Sequence, residues 1–393
     1  MRKTTIALLL ALFVAADATA EVTTKWWGLV SFRQRHETTE KYVSFENADS
    51  TKRGELERTI DNSTTKLGYQ FGMRMDVRDN LFVGITFRSG LSGGALVMQQ
   101  GVTSREGLLP GLQEAFVNWD TPFLTVEFGK IPQAGTAMWD VYAASLQTDF
   151  RADDPRDGIF ADRMAALNGL RVSRTIGFAT LRGIFHTDHV GGFYEKYDIG
   201  NIDHQRSPDR NTSVLGATLN FGDKSLGSIS TMPGLKGLVV DVDYGFPKRA
   251  AKTGTNVDST YADETLWGAT IKETIEAGSL QIGYGYNWRD SVFTISYLDA
   301  MAQFNWSALP FIHSTSLEAG DLSFTVRYQQ SNQELEFDPY RDAKIYRDAW
   351  HFYLNKTVGG IDLQPRMILF NKEIEDFKQE AQTRYELTGT VRF

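Results

Sequence analysis

Cysteine is absent from the 393 residues. Its absence excludes a disulfide scaffold, a cysteine zinc site and thiol catalysis. Proline is scarce, at 10 residues, and no Pro- or Ser-rich stretch marks an interdomain linker. Positive charge is not in excess. The 41 Lys and Arg are outnumbered by 49 Asp and Glu, a net charge of −8. A nucleic-acid binder needs a basic face, so no nucleic-acid partner is expected. After residue 20 no apolar run is long enough to cross a bilayer as a helix. These absences leave room for a membrane β-barrel, in which only alternate residues touch lipid.

The N-terminus carries Arg2 and Lys3, an unbroken apolar run from Ile6 to Ala16, and the small-x-small pattern Ala18-Thr19-Ala20. Charged start, short apolar core and small-residue cleavage site make a secretory signal peptide. The expected organisation is therefore a signal over 1–20 and a single barrel domain over 21–393.

Beyond Glu21 the recurrent pattern is alternation with period two, the signature of half-exposed strands. Leu67, Tyr69, Phe71, Met73 and Met75 alternate with small or polar residues. Leu81, Val83, Ile85 and Phe87 do the same after a four-residue turn. The unit recurs along the chain as about seven hairpins, with a strand at each end over Trp27–Arg33 and Thr383–Phe393. Ile312–Ala319 and Leu322–Tyr328 form one of these hairpins in this reading. The total is about sixteen strands, an even number as a single-chain barrel requires. Val292–Leu298 admits an extra hairpin, which would make eighteen.

Short turns alternate with long segments, at about 34–63, 89–111, 131–164, 187–212, 247–263, 289–311, 331–345 and 371–382. Short turns at one rim and long loops at the other are the asymmetry of outer-membrane barrels, with short periplasmic turns and long extracellular loops. Trp26, Trp27, Tyr69, Tyr244, Tyr284, Trp288, Tyr328, Trp350 and Tyr385 fall near strand ends, where interfacial girdles lie. The fold class expected is all-β, a transmembrane antiparallel barrel in the bacterial outer membrane, with lipid on its apolar face.

Catalytic and metal patterns are weak. His186 and His189 flank Asp188 at the start of a long segment, and such i, i+3 histidines are usually solvated. His351 lies on the polar face of a strand, with Ser316 and Ser323 available by sequence, but no spacing positions a nucleophile. Asp153-Asp154-Pro155-Arg156-Asp157 lacks calcium-loop spacing. No phosphate loop or dinucleotide fingerprint is present. No metal, cofactor or enzymatic activity is expected.

A barrel of this size leaves an aqueous channel, and charges on its inner wall control what passes. By alternation Arg33, Arg74, Arg88, Arg171, Arg182, Arg327, Arg366, Arg384 and Arg392 face inward, with Glu114, Glu127, Asp241, Asp243 and Glu386. Segment 131–164 mixes apolar residues such as Trp139, Tyr142, Phe150 and Phe160 with Asp140, Asp149, Asp153, Asp154, Asp157 and Asp162. A loop so long is usually functional or disordered, and its apolar content suits packing against a wall. The segment is expected to fold into the lumen and narrow it.

Two stretches carry a family resemblance. The C-terminal YELTGTVRF, residues 385–393, resembles the C-terminal signal of bacterial outer-membrane barrels: Tyr385, Leu387 and Val391 alternate, and Phe393 is terminal. LTVEFGKIP at 124–132, the Asp-rich segment, and RMAALNGLRVSR at 163–174 are similar to the fifth strand, inward-folded third loop and sixth strand of general porins. The resemblance implies recognition by the barrel assembly machinery and a homotrimer. It also implies a basic wall of Arg33, Arg74, Arg88 and Arg171 opposite an acidic loop carrying Asp149, Asp153, Asp154 and Asp157. The function it implies is passive diffusion of small hydrophilic solutes and ions. A substrate-selective channel for sugars or oxyanions shares the fold; an outer-membrane enzyme or a soluble secreted β protein fits less of the pattern.

Overall fold

The computed structural model describes residues 22–44, 47, 49–89, 96–99, 102–104, 110–132, 166–188, 210–249, 264–289, 293–305, 322–335 and 343–393. They build one closed antiparallel barrel of sixteen strands. The strands are β1 (Thr23–Tyr42), β2 (Leu56–Arg78), β3 (Leu81–Ser89), β4 (Pro110–Asp120), β5 (Thr125–Pro132), β6 (Ala166–Ile176), β7 (Ala179–Asp188) and β8 (Arg210–Asn220). They continue as β9 (Leu238–Arg249), β10 (Glu264–Ile275), β11 (Gly278–Arg289), β12 (Phe293–Asn305), β13 (Ser323–Leu335), β14 (Ala343–Val358), β15 (Ile361–Ile374) and β16 (Phe377–Arg392). Each pairs with its neighbours in sequence, and β1 pairs with β16 from Leu29↔Arg392 to Lys41↔Glu380. Closure leaves no open edge, which lipid would not tolerate. A short hairpin, Leu96–Gln99 and Val102–Ser104, pairs onto the far half of β2.

The two faces divide as alternation requires. Outward-facing Val30, Phe32, Leu215, Val242, Ile271 and Ile282 are exposed, while inward-facing Ser31, Arg33, Asp243, Arg327 and Arg366 are buried. Aromatic rings meet across strands on the outer face. Trp267 lies 5.4 Å from Tyr284, Tyr328 lies 4.7 Å from Trp350, and Phe71 lies 5.0 Å from Phe87. Trp27 departs from the expected girdle. One residue past outward-facing Trp26, it faces the lumen, and its indole covers the position a Cβ on Gly72 would take.

The strands run further than the apolar alternation. β1 and β2 stay paired through His36↔Ser63 and Glu40↔Thr59, so the first connection is 43–55 rather than 34–63. Both faces are polar there: His36 Nδ1 meets Ser63 Oγ at 3.0 Å, and Thr38 donates to Asp61 at 2.7 Å, on the outer face. The same holds for β13 and β14. Around 371–382 the expected loop is a two-residue turn, Glu375-Asp376, with φ of 50° and 62°. Positive φ at both central residues is the hairpin geometry that matches strand twist. Gly359 and Gly360, at φ 57° and 81°, make the opposite-rim counterpart between β14 and β15.

The expected hairpin containing Ile312–Ala319 is corrected. The strand preceding β13 is β12, Phe293–Asn305, reached from β11 in three residues. Residues 312–319 lie outside the described residues, and the barrel closes at sixteen without them. Alternation of turn length also has exceptions on the terminal rim. Residues 221–237 between β8 and β9 hold a 3-10 turn, Lys224–Thr231, capped by Asp223, whose side chain accepts from the Ser225 N–H at 2.8 Å. Hydrogen bonds from Ser225 hold the exposed Asp223 carboxyl below its ordinary range.

The C-terminal residue completes the seam. Phe393 and Gly28 exchange backbone hydrogen bonds of 2.8 and 3.0 Å. The Phe393 ring lies over Gly28, 2.5 Å from where a Cβ would stand. A side chain at 28 must push that ring away. Gly28→Val is expected to lower the yield of heat-modifiable folded barrel as Phe393→Ala does, by about 1 kcal/mol of ring packing. The double variant should be no worse than either, because both remove one contact; additive losses would show two separate effects.

Candidate functional site: the inner wall

Among the described residues two groups of charge are prominent on the inner wall. The first spans β15, β16 and β1. Register places Arg366 beside Glu386, and Glu386 beside Arg35. Arg366 and Glu386 form an ion pair, Arg35 Nε donates to Glu386 at 2.5 Å, and Arg384 Nη1 is 3.8 Å from the same carboxylate. Arg384 Nε also donates to Glu37 at 3.1 Å. Arg33, buried, adds its positive field at Glu386. Among the described residues four guanidiniums thus gather around Glu386 and Glu37. Beside them Arg327 makes a bidentate pair with Asp299, at 2.7 and 2.6 Å.

The second group lies on β4 to β9. Arg171 is clamped by Glu127, with Nη2 donating at 2.7 Å. Arg182 reaches across Gly216 to Asp243, Nε donating at 2.9 Å, and lies 3.3 Å from Asp241. A Cβ at Gly216 would strike the Asp243 carboxylate and the Arg182 side chain, so a side chain there must displace them. Glu114 accepts from Thr86 Oγ1 at 2.9 Å. Among the described residues this group holds Glu114, Glu127, Asp241 and Asp243 with Arg171 and Arg182. In a closed sixteen-strand barrel β7 stands eight strands from β15, and β9 eight strands from β1, so Arg182, Asp241 and Asp243 face the first group, while Glu114 and Glu127 stand three and four strands from β1. Asp243 lies five residues in from the start of β9 and Glu386 six from the end of β16, a comparable depth from the terminal rim.

The expected basic wall is distributed differently. Arg33 belongs to the positive group. Arg171 is inward but neutralised by Glu127. Arg74 sits at the terminal rim, donating to Asp76 at 2.6 Å. Its register partner on β1 is Lys25, eight residues from Arg33, which is about 26 Å along a strand. Arg88 pairs with Gln70 across β2 and β3. These residues therefore do not stand together at one height. Asp149, Asp153, Asp154 and Asp157, like the whole of 133–165, lie outside the described residues, as do residues 1–20. Arg35, Glu37 and Asp299 are the functional charges that sequence reading missed. Continuing the alternation past Arg33 finds the first two.

Ser323 and His351 are not brought together. Ser323 pairs with Asn355 and His351 with Arg327, four residues further along β13, about 13 Å away. His351 instead stacks on Tyr353, Nδ1 to hydroxyl 3.2 Å. Ser316 lies outside the described residues, as does His189. Among the described residues no three His, Asp or Glu side chains are grouped to hold a metal ion.

No protein-family model matches the chain, and no curated protein does. Solved structures do. The outer-membrane channel DcaP of Acinetobacter baumannii is 11% identical, with 96% of this chain and 99% of that one covered, at a TM-score of 0.56. An anion-selective porin from Comamonas acidovorans is 10% identical, over 95% and 100% of the two chains, at 0.53. The chain therefore has the fold of bacterial outer-membrane β-barrels, and its lipid-facing belt places it in that membrane.

Proposed function

We propose that the protein is a porin, a water-filled channel for passive diffusion of small hydrophilic solutes and ions, and not an enzyme. The observation that carries this is the opposition of charge across the lumen: the Arg33, Arg35, Arg366 and Arg384 side faces the Asp241 and Asp243 side. Opposed charges on a wet wall set a transverse field that orders water and disfavours apolar solutes. The Debye length is about 8–10 Å at 0.1–0.15 M salt, so screening across a narrow opening is incomplete. The Asp-rich segment between β5 and β6 is proposed to enter the lumen and add its carboxylates to the acidic side. Its flanking strands, Thr125–Pro132 and Ala166–Ile176, are paired neighbours, which supports the strand–loop–strand likeness.

Planar-bilayer reversal potentials test the reading. Changing Asp153, Asp154 and Asp157 to Asn should shift selectivity toward anions, and the shift should shrink in 1 M salt. Arg35→Gln should shift it toward cations. Wild-type selectivity in both would overturn the opposed-charge model. Export through cleavage of residues 1–20, recognition of Tyr385, Leu387, Val391 and Phe393 by the assembly machinery, and association into a homotrimer belong to the same proposal. Mass in mild detergent and three-step closure of single channels test the last.

A further inference from the structure

Most apolar side chains on the inner wall, such as Leu266, Ile295, Ile345 and Phe370, are buried. At the terminal rim on β1–β4 three aromatic side chains are not. Trp27 is 41% exposed, and Phe82 and Phe116 are partly exposed. All three lie on the lumen face. Register runs Trp27–Gly72–Thr86–Glu114 in one row and Lys25–Arg74–Gly84–Phe116 in the next.

Two glycines let these rings lie flat. The Trp27 indole covers Gly72, and the Phe116 ring covers Gly84, 2.6 Å from an ideal Cβ. Gly72 and Gly84 are diagonal neighbours on adjacent strands, close enough for long side chains to meet. The two rings therefore tile adjacent parts of one wall. Phe82 meets Phe116 edge-on at 6.0 Å, and the Arg74 guanidinium lies 3.8 Å over Phe82. Arg74 and Asp76 border the platform on one side and Glu114 on the other.

An exposed indole in a wet lumen gains nothing from lipid, and glycine is costly in a strand interior. A ligand with an apolar ring face and a hydrogen-bonding rim would use both. A pyranose ring has that form: its C–H face stacks on an aromatic plane. Its vicinal hydroxyls match planar guanidinium and carboxylate groups, which offer paired donors and paired acceptors. Groups of both signs around the rings suit a neutral hydroxyl-rich rim better than a ligand of one charge.

We propose that this rim of the lumen is a saccharide subsite, with a sugar ring stacked on Trp27 and Phe116 and its hydroxyls held by Arg74 and Glu114. It rests on the reading of the lumen as a solute path. The test is equilibrium dialysis of labelled maltotriose against the full-length protein in detergent, with benzoate as a planar aromatic comparison. Saturable maltotriose binding is expected. Trp27→Ala should weaken it roughly tenfold. Phe116→Leu should weaken it too, with heat-modifiable folding retained. Phe123→Ala, an aromatic exposed in the β4–β5 turn, should leave it unchanged. No saturable binding, equal binding by the Trp27 variant, or Trp27-dependent binding of benzoate alone would overturn the subsite. Potassium chloride conductance in planar bilayers separates the two readings. Conductance without sugar binding overturns the subsite alone; sugar binding without conductance supports the subsite and overturns the channel.

Discussion

Replacing Glu386 by Gln should destabilise the folded barrel by about 3–5 kcal/mol, the cost of removing one partner from a buried charge cluster. The Glu386 side chain is 1% exposed and touches Arg366, Arg35 and Arg384. Without its charge, Arg366, Arg35 and Arg384 each lose a buried carboxylate neighbour. Each guanidinium then loses Coulomb stabilisation while staying desolvated. Arg392→Gln is the matched comparison. Its pair with Asp362 lies at the terminal rim, with side chains 68% and 35% exposed, and such a pair is worth at most about 1 kcal/mol. Urea-unfolding midpoints of barrels folded into liposomes check the difference. Equal midpoints would mean that lumen water solvates the cluster.

The fold was legible in most stretches where a strand crosses lipid, because lipid on one face and polar contacts on the other favour period two. Leu67 to Met75 and Leu280 to Trp288 are such stretches, and the structure keeps both. Where strands rise above the apolar belt the alternation vanishes although the backbone stays paired. Residues 34–42, 56–63 and 371–382 therefore read as loops. β12 was hidden for another reason. Its outer face carries Thr294 and Ser296 and its inner face buried Ile295 and Tyr297, which inverts the usual pattern. Parity alone assigned Arg33, Arg171, Arg182, Arg327, Arg366 and Arg384 to the lumen. It could not show that Glu127 neutralises Arg171 or that Glu386 joins Arg35 to Arg366. Those contacts depend on cross-strand register between residues far apart in sequence.

That dependence on register gives the second large effect. Ile282→Arg should destabilise the barrel by roughly 2–4 kcal/mol, the cost of a cationic side chain on the lipid face near the midplane. Ile282 points outward and is 57% exposed, flanked along β11 by Leu280 and Tyr284. Across the sheet its partners are Ile271 on β10 and Ala300 on β12. No charged group stands among these neighbours, so an introduced guanidinium must stretch along the strand toward an interface. Gln281→Arg, one residue away, places the same charge on the inner face, where Lys272 and Met301 are the register partners. Water can solvate it there, and the change should cost less than about 1 kcal/mol. Unfolding midpoints in liposomes separate the two variants. Matching midpoints would mean that both faces of β11 meet the same medium, and the assignment of lipid and lumen faces would fall with them.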